Sequence, residues 1–167
     1  MSFAAEAADR IRKSREDIAT SQQAANRRRE IAINNAVSLL EDLFAALEKH
    51  TEDFVNELPE AKESGLGTLR IGQHQFKITT KSCPLLIFDL NFDRPVLRIR
   101  WTLSERISSM APHRTLQGMI GLAVDRDLQP CFTDGEKLVA PSVLAEELMG
   151  LVFDLFDRAN RVRSLLA

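Results

Sequence analysis

Neither glycine nor proline occurs in the first 58 residues; all seven glycines and all six prolines follow Leu58. These two residues are the usual interrupters of a helix, so the N-terminal third carries no ordinary punctuation. Tyrosine is absent and Trp101 is the single tryptophan, which leaves few aromatic platforms for stacking single-stranded bases. Cysteine occurs twice, at Cys83 and Cys131, 48 positions apart and in no C-x-x-C pair. That spacing argues against a cysteine-built zinc site. Two reduced thiols are the expectation, with a disulfide between two strand regions as the alternative.

Long apolar runs are missing too. The longest cluster, Pro84-Leu85-Leu86-Ile87-Phe88, is far short of the ~18 residues that cross a bilayer. Glu6 and Asp9 stand where a secretory signal would have its apolar core. A cytoplasmic protein with no membrane association is expected. Net charge is −2, from 22 basic and 24 acidic residues. This argues against a strongly basic nucleic-acid binder while leaving room for a local basic patch.

Chemical motifs are likewise lacking. There is no G-x-S-x-G, and Gly65-Leu66-Gly67 precedes a strand rather than a helix. His50, His74 and His113 form no H-x-x-x-H or H-x-E arrangement. No catalytic, metal or cofactor residue is assigned on this basis, and no cofactor is expected. Glu146-Glu147 reads as the solvated face of a helix.

What is present is a strong division of the chain. Residues from about Ser2 to Leu58 are dominated by Ala, Glu, Leu, Arg, Gln and Lys, all helix formers. Pro59 ends the run, since the residue before a proline is driven out of the α region. From Ile33 an apolar seam runs Ile33, Val37, Leu40, Phe44, Leu47, Phe54 and Leu58, widened by Ala36, Leu39 and Leu43. This half is expected to pack on a sheet or another helix. Extended backwards, the seam lands on Glu30, Asn26 and Gln23 and fails. The first half instead carries a thin heptad line of Ala4, Ile11, Ile18, Ala25 and Ala32, with polar Arg15, Gln22 and Arg29 beside it. A change of register therefore falls between Thr20 and Glu30, either as a bend or as a new helix capped by Thr20 or Ser21.

Length decides what this means. A straight 57-residue helix is about 85 Å long at ~1.5 Å per residue, whereas a domain of ~100 residues has a radius of gyration near 13 Å. The helix must fold back near residues 20–30 or project. A projecting helix needs a partner, because isolated helices draw most of their stability from packing, and a second copy is the simplest one. Charge is segregated along the same stretch. Residues 10–29 hold Arg10, Arg12, Lys13, Arg15, Arg27, Arg28 and Arg29 against Glu16 and Asp17, and residues 30–63 hold nine acids against Lys49 and Lys62. Antiparallel pairing of two such helices would bring opposite charges together.

From Thr68 the period becomes two. Leu69 and Ile71 alternate with Arg70; Phe76, Ile78 and Thr80 alternate with Gln75, Lys77 and Thr79; Leu97, Ile99, Trp101 and Leu103 alternate with Arg98 and Arg100. Leu85 to Leu90 reads as a strand buried on both faces. Ser104 to Pro112 reads as irregular. Further strands are expected at Thr115–Val124, Leu128–Phe132 and Lys137–Val139, with Asp134-Gly135 as a hairpin turn. Ser142 is expected to cap a C-terminal helix reaching about Leu165. The fold class is α+β: a long N-terminal helix, an antiparallel meander of about five to seven strands and a C-terminal amphipathic helix on one sheet face. Residues 1–30 form an extended helical segment and residues 31–167 a globular domain.

The leading functional expectation is a non-enzymatic protein-interaction module, such as an adaptor, an escort chaperone or a regulatory subunit. It would form a homodimer through Ala4, Ile11, Ile18, Ala25 and Ala32 and bind a further protein. The alternative is a module for an anionic ligand or nucleic acid. It would use Arg70, Lys77, Arg98 and Arg100, expected together on the outer sheet face with Asp89 pairing one arginine, or the basic segment 10–29 with Arg27, Arg28 and Arg29. A more remote reading is a small enzyme, built where His113 or Cys131 meets a carboxylate such as Asp125.

Overall fold

The computed structural model describes residues 3–82, 84–106 and 114–166. The expected α+β architecture is present: a long helix α1 (Phe3–Glu57), a short helix α2 (Pro59–Glu63), seven strands and a helix α3 (Pro141–Leu166). The strands are β1 (Gly67–Ile71), β2 (Gln75–Thr79), β3 (Leu85–Asp93), β4 (Arg98–Arg106), β5 (Arg114–Val124), β6 (Pro130–Asp134) and β7 (Lys137–Val139). Each pairs antiparallel with the next in sequence, giving one sheet of order β1 to β7.

α1 runs without a break through residues 20–30. The change of register there is not a hinge. With no glycine or proline to interrupt it, the helix continues, and the seam begins where the helix meets the domain. Ala32, Ala36, Leu39, Leu40, Leu43, Phe44 and Leu47 are buried, the three-and-four spacing of a helix face. Leu58 is extended (φ −116°, ψ 107°) and Pro59 opens α2, where its missing N–H costs nothing. The segment between the long helix and the first strand therefore contains a turn of helix, with buried Ala61 and Ser64. The Ser64 carbonyl accepts the amides of Lys81 and Ser82, tying α2 to the β2–β3 connection. Thr80 Oγ1 closes that connection by accepting Leu86 N–H and donating to the Pro84 carbonyl.

Both long helices lie on one face of the sheet. α1 touches β1, β5 and β6, α3 touches β4 and β6, and the two pack on each other. Phe54 of α1 stacks on Phe153 at 3.9 Å and meets Phe156 edge-on at 5.7 Å. On the sheet side Phe44 stacks on Phe76 at 5.1 Å. α3 begins at Pro141, so Ser142 lies inside its first turn and does not cap it; the first turn closes from Leu144 N–H to the Ala140 carbonyl.

One face covered and one face open explains the burial pattern. β3 alternates strictly, with Leu86, Phe88, Leu90 and Phe92 inward and Leu85 and Ile87 outward. The expectation that Leu85–Leu90 is buried on both faces fails, because no element lies over the second face among the described residues. β4 extends to Arg106, into the first residues of the segment Ser104–Pro112 expected to be irregular. Residues 107–113 lie outside the described residues, as does Cys83.

Trp101 and Gly118 are cross-strand partners on the covered face. A Cβ at Gly118 would sit 2.6 Å from the indole, closer than packing allows. Gly118→Ala should therefore cost about 1–3 kcal/mol through displacement of Trp101. Because Trp101 is the single tryptophan, its fluorescence and the urea midpoint read the same event. An unchanged spectrum with unchanged stability would refute this packing.

Candidate functional site

The sheet arginines and lysine expected on one outer face do not behave alike. Arg70 pairs in register with Phe76, which is fully buried, so it points toward the helices. Leu69 and Ile71, expected inside, are 55% and 45% exposed. Period-two alternation fixes which residues share a face but not which face is covered. Here two carboxylates of α1 decide it. Arg70 Nε and Nη2 donate to both oxygens of Glu48 at 2.6 and 2.8 Å, and Nη1 donates to Glu41 at 2.7 Å. Its guanidinium carbon also lies 5.7 Å from the Phe44 ring centroid. The hydrogen bonds it donates to Glu48, opposed by burial and assisted by Glu41, hold the Arg70 pKa above its ordinary value. Arg70 fastens the edge strand to α1 and is spent as an anion ligand.

Lys77 does face outward, but Asp89 takes it at 3.1 Å. Gln75 and Asn91 also donate to Asp89. The expected pairing of Asp89 is thus with a lysine and two amides rather than an arginine. Arg98 and Arg100 remain. Two positions apart on β4, both exposed, they lie on the open face about 7 Å from one another along the strand. Among the described residues neither enters an ion pair or a side-chain hydrogen bond, and neither does Arg94 in the preceding turn. These three arginines line one cavity of about 620 Å³ with Val96 and Met119, which are 55% and 58% exposed.

The turn beneath the cavity is firmly held. Leu97 adopts a left-handed backbone (φ 52°) with its side chain in the core. Its N–H donates to the Arg94 carbonyl and its carbonyl accepts Leu122 N–H. Arg29 Nη2 donates to the Pro95 carbonyl at 3.1 Å. Sequence reasoning kept Arg27–Arg29 and Arg98/Arg100 as separate candidates; the fold brings Arg29 of the triplet to the turn that precedes Arg98. Arg94 was missed, having no periodic signal in a turn.

The rest of the open face is mixed. Leu69, Ile71, Leu85, Ile87 and Leu138 are exposed there among threonines, glutamines and Ser104.

The arm of α1 is the second candidate. From residue 4 to residue 30 every side chain is exposed except Ala7, which is half-buried. Ile11 and Ile18 are 55% and 54% exposed. Ala4 and Ala25 are exposed on the same line, but Ala32 is 3% exposed within the core. The line available on the surface therefore has four members.

Elsewhere, burial pushes the half-buried Cys131 thiol up, and the charge of Asp125 adds to it. Asp125 accepts the amides of Asp127 and Gln129 in the β5–β6 turn. His74 sits in the β1–β2 turn with its ring 5.7 Å from Phe92, while His113 lies outside the described residues. No group of three or more His, Cys, Asp or Glu that could hold a metal ion occurs among the described residues, and no described helix is long and apolar enough to cross a membrane. The chain matches no protein-family model, no curated protein and no solved structure.

Proposed function

We propose that this protein is a cytoplasmic, non-enzymatic interaction module that dimerises through the arm of α1 and presents its domain to a protein partner. The observation that carries the reading is a regular helix of more than 25 residues, continuous with the core helix, whose apolar line is left in solvent. Helices in water draw most of their stability from packing. A second arm supplies that packing by burying Ile11 and Ile18.

Antiparallel pairing of the arms suits the pattern. A two-fold axis between Ser14 and Arg15 sets Ile11 level with Ile18 of the other copy, and Ala4 level with Ala25. The same register brings Arg12 and Lys13 level with Asp17 and Glu16, so opposite charges flank the apolar line. The acidic half of α1, by contrast, is packed against the domain, and Glu41 and Glu48 are committed to Arg70. This favours pairing arm on arm over pairing the basic half on the acidic half.

Light scattering across a concentration series tests the reading. The wild-type chain is expected to be a dimer, and Ile11→Asp/Ile18→Asp a monomer, with association weakened about a hundredfold or more. Loss of the partner should also lower the helical circular dichroism signal as the arm frays. A wild-type chain that stays monomeric at every concentration, with the arm still helical, would sink the proposal.

A further inference from the structure

We propose a second site, independent of self-association: the cavity at the β3–β4 corner binds a phosphomonoester. The charge around it is unbalanced in a way the rest of the face is not. Lys77 is neutralised by Asp89 and Arg70 by Glu48 and Glu41 on the other side of the sheet. Arg94, Arg98 and Arg100 have no such partner among the described residues. The one acid lining the cavity is Asp93, opposite Arg98 in register. Three guanidinium groups and one carboxylate leave a local charge of about +2, which matches the −1.5 to −2 of a phosphomonoester at neutral pH.

Chemistry and shape agree with that charge. Guanidinium groups present paired N–H donors in a fork that fits phosphate oxygens. Arg98 and Arg100 point the same way from one strand, so both reach a single group between them, while Arg94 approaches from the turn. Exposed Val96 and Met119 on the same wall give an apolar surface for the body that carries the phosphate. A volume of about 620 Å³ is ample for such a group together with a small apolar or peptide body.

The platform is preorganised. Leu97, which sets the direction in which Arg98 leaves the turn, is anchored in the core and hydrogen-bonded at both its amide and its carbonyl. Arg29 holds the turn from α1 through the Pro95 carbonyl. A ligand at this corner meets three arginines carried on a firmly held turn and strand.

Calorimetric titration of the full chain with inorganic phosphate, a Leu-phosphoserine-Leu peptide and its unphosphorylated twin tests the site at low ionic strength. The phosphorylated peptide, inorganic phosphate or both should bind. Arg98→Gln/Arg100→Gln should weaken that binding at least about tenfold, as expected for losing charge-assisted hydrogen bonds. Arg10→Gln/Arg126→Gln, which removes the same charge from exposed positions away from the cavity, should leave it unchanged. Tighter binding of the peptide than of phosphate identifies a phosphorylated protein segment as the source; equal binding identifies the free phosphate group. Three results overturn the proposal: no binding of either phosphate probe, equal binding of the unphosphorylated twin, or equal loss in the two double variants. Unchanged circular dichroism in both variants establishes that they are folded; if Arg98→Gln/Arg100→Gln fails to fold, Arg94→Gln in the exposed turn gives the same comparison.

Discussion

Phe44→Ala is expected to lower stability by about 3–5 kcal/mol, the usual cost of emptying a buried aromatic position. Phe44 is fully buried and stacks on Phe76 of β2 with an interplanar angle of 26°. It also lies under the Arg70 guanidinium, which in turn reaches Glu41 and Glu48 on either side of it along α1. Truncation therefore leaves a cavity between helix and sheet and removes the floor beneath an ion-pair network. The urea midpoint should fall with the slope of the transition unchanged, which separates a loss of native packing from a change in the unfolded ensemble. A loss below about 1 kcal/mol would show that Phe44 is not part of the helix–sheet junction.

Arg158→Met should cost about 3 kcal/mol. Glu105, near the end of β4, is 4% exposed and bonds to Arg158 of α3 through one carboxylate oxygen, while its second oxygen, also buried, has no partner among the described residues. Removing one member of a buried pair leaves the other charge uncompensated, which typically costs 3–5 kcal/mol. The lower end applies because the Arg158 side chain is itself 40% exposed. Adding Glu105→Gln to the Arg158→Met chain should restore part of the loss, since a neutral amide needs no counter-charge. If the double variant is no more stable than Arg158→Met alone, the buried carboxylate is not what Arg158 supports.

Helical spacing sets Arg158 one turn beyond Asp154 on α3, and in the fold it reaches across to Glu105 of the sheet instead. The companion pair Asp157–Arg161 does form, at 2.6 Å. The difference is physical. An i,i+4 pair on an exposed helix face is worth only a few tenths of a kcal/mol, so a buried carboxylate within reach takes precedence. The same reasoning covers Arg70: its alternation with Leu69 and Ile71 was plain, but the covered face was set by Glu41 and Glu48, seven residues apart on a helix distant in sequence. Strand positions were legible where polar and apolar residues alternated strictly, as at Ile99–Leu103, and where Asp134-Gly135 marked a hairpin. The open second face was harder to read, because Leu85 and Ile87 are apolar yet nothing lies over them. Of the residues proposed to bind an anion, Arg98 and Arg100 could be named from alternation alone. That Arg70 and Lys77 are neutralised, that Arg94 lines the same cavity and that Arg29 holds its turn depends on contacts across the fold that periodicity does not encode.

The absence of a hinge in α1 has a mechanical consequence. Residues 3–30 prolong the core helix by about 40 Å at ~1.5 Å per residue, and an α-helix of that length bends only gently. Anything that grips the far end of this rod is held at a fixed distance and a fixed angle from the sheet. Rotating the arm about its axis must turn the domain with it, so the phase of the helix, 100° for every residue added or removed, becomes an adjustable parameter. Insertion of one residue near Asn26 would leave the domain intact and swing its open face by more than a quarter turn around whatever the arm is fastened to.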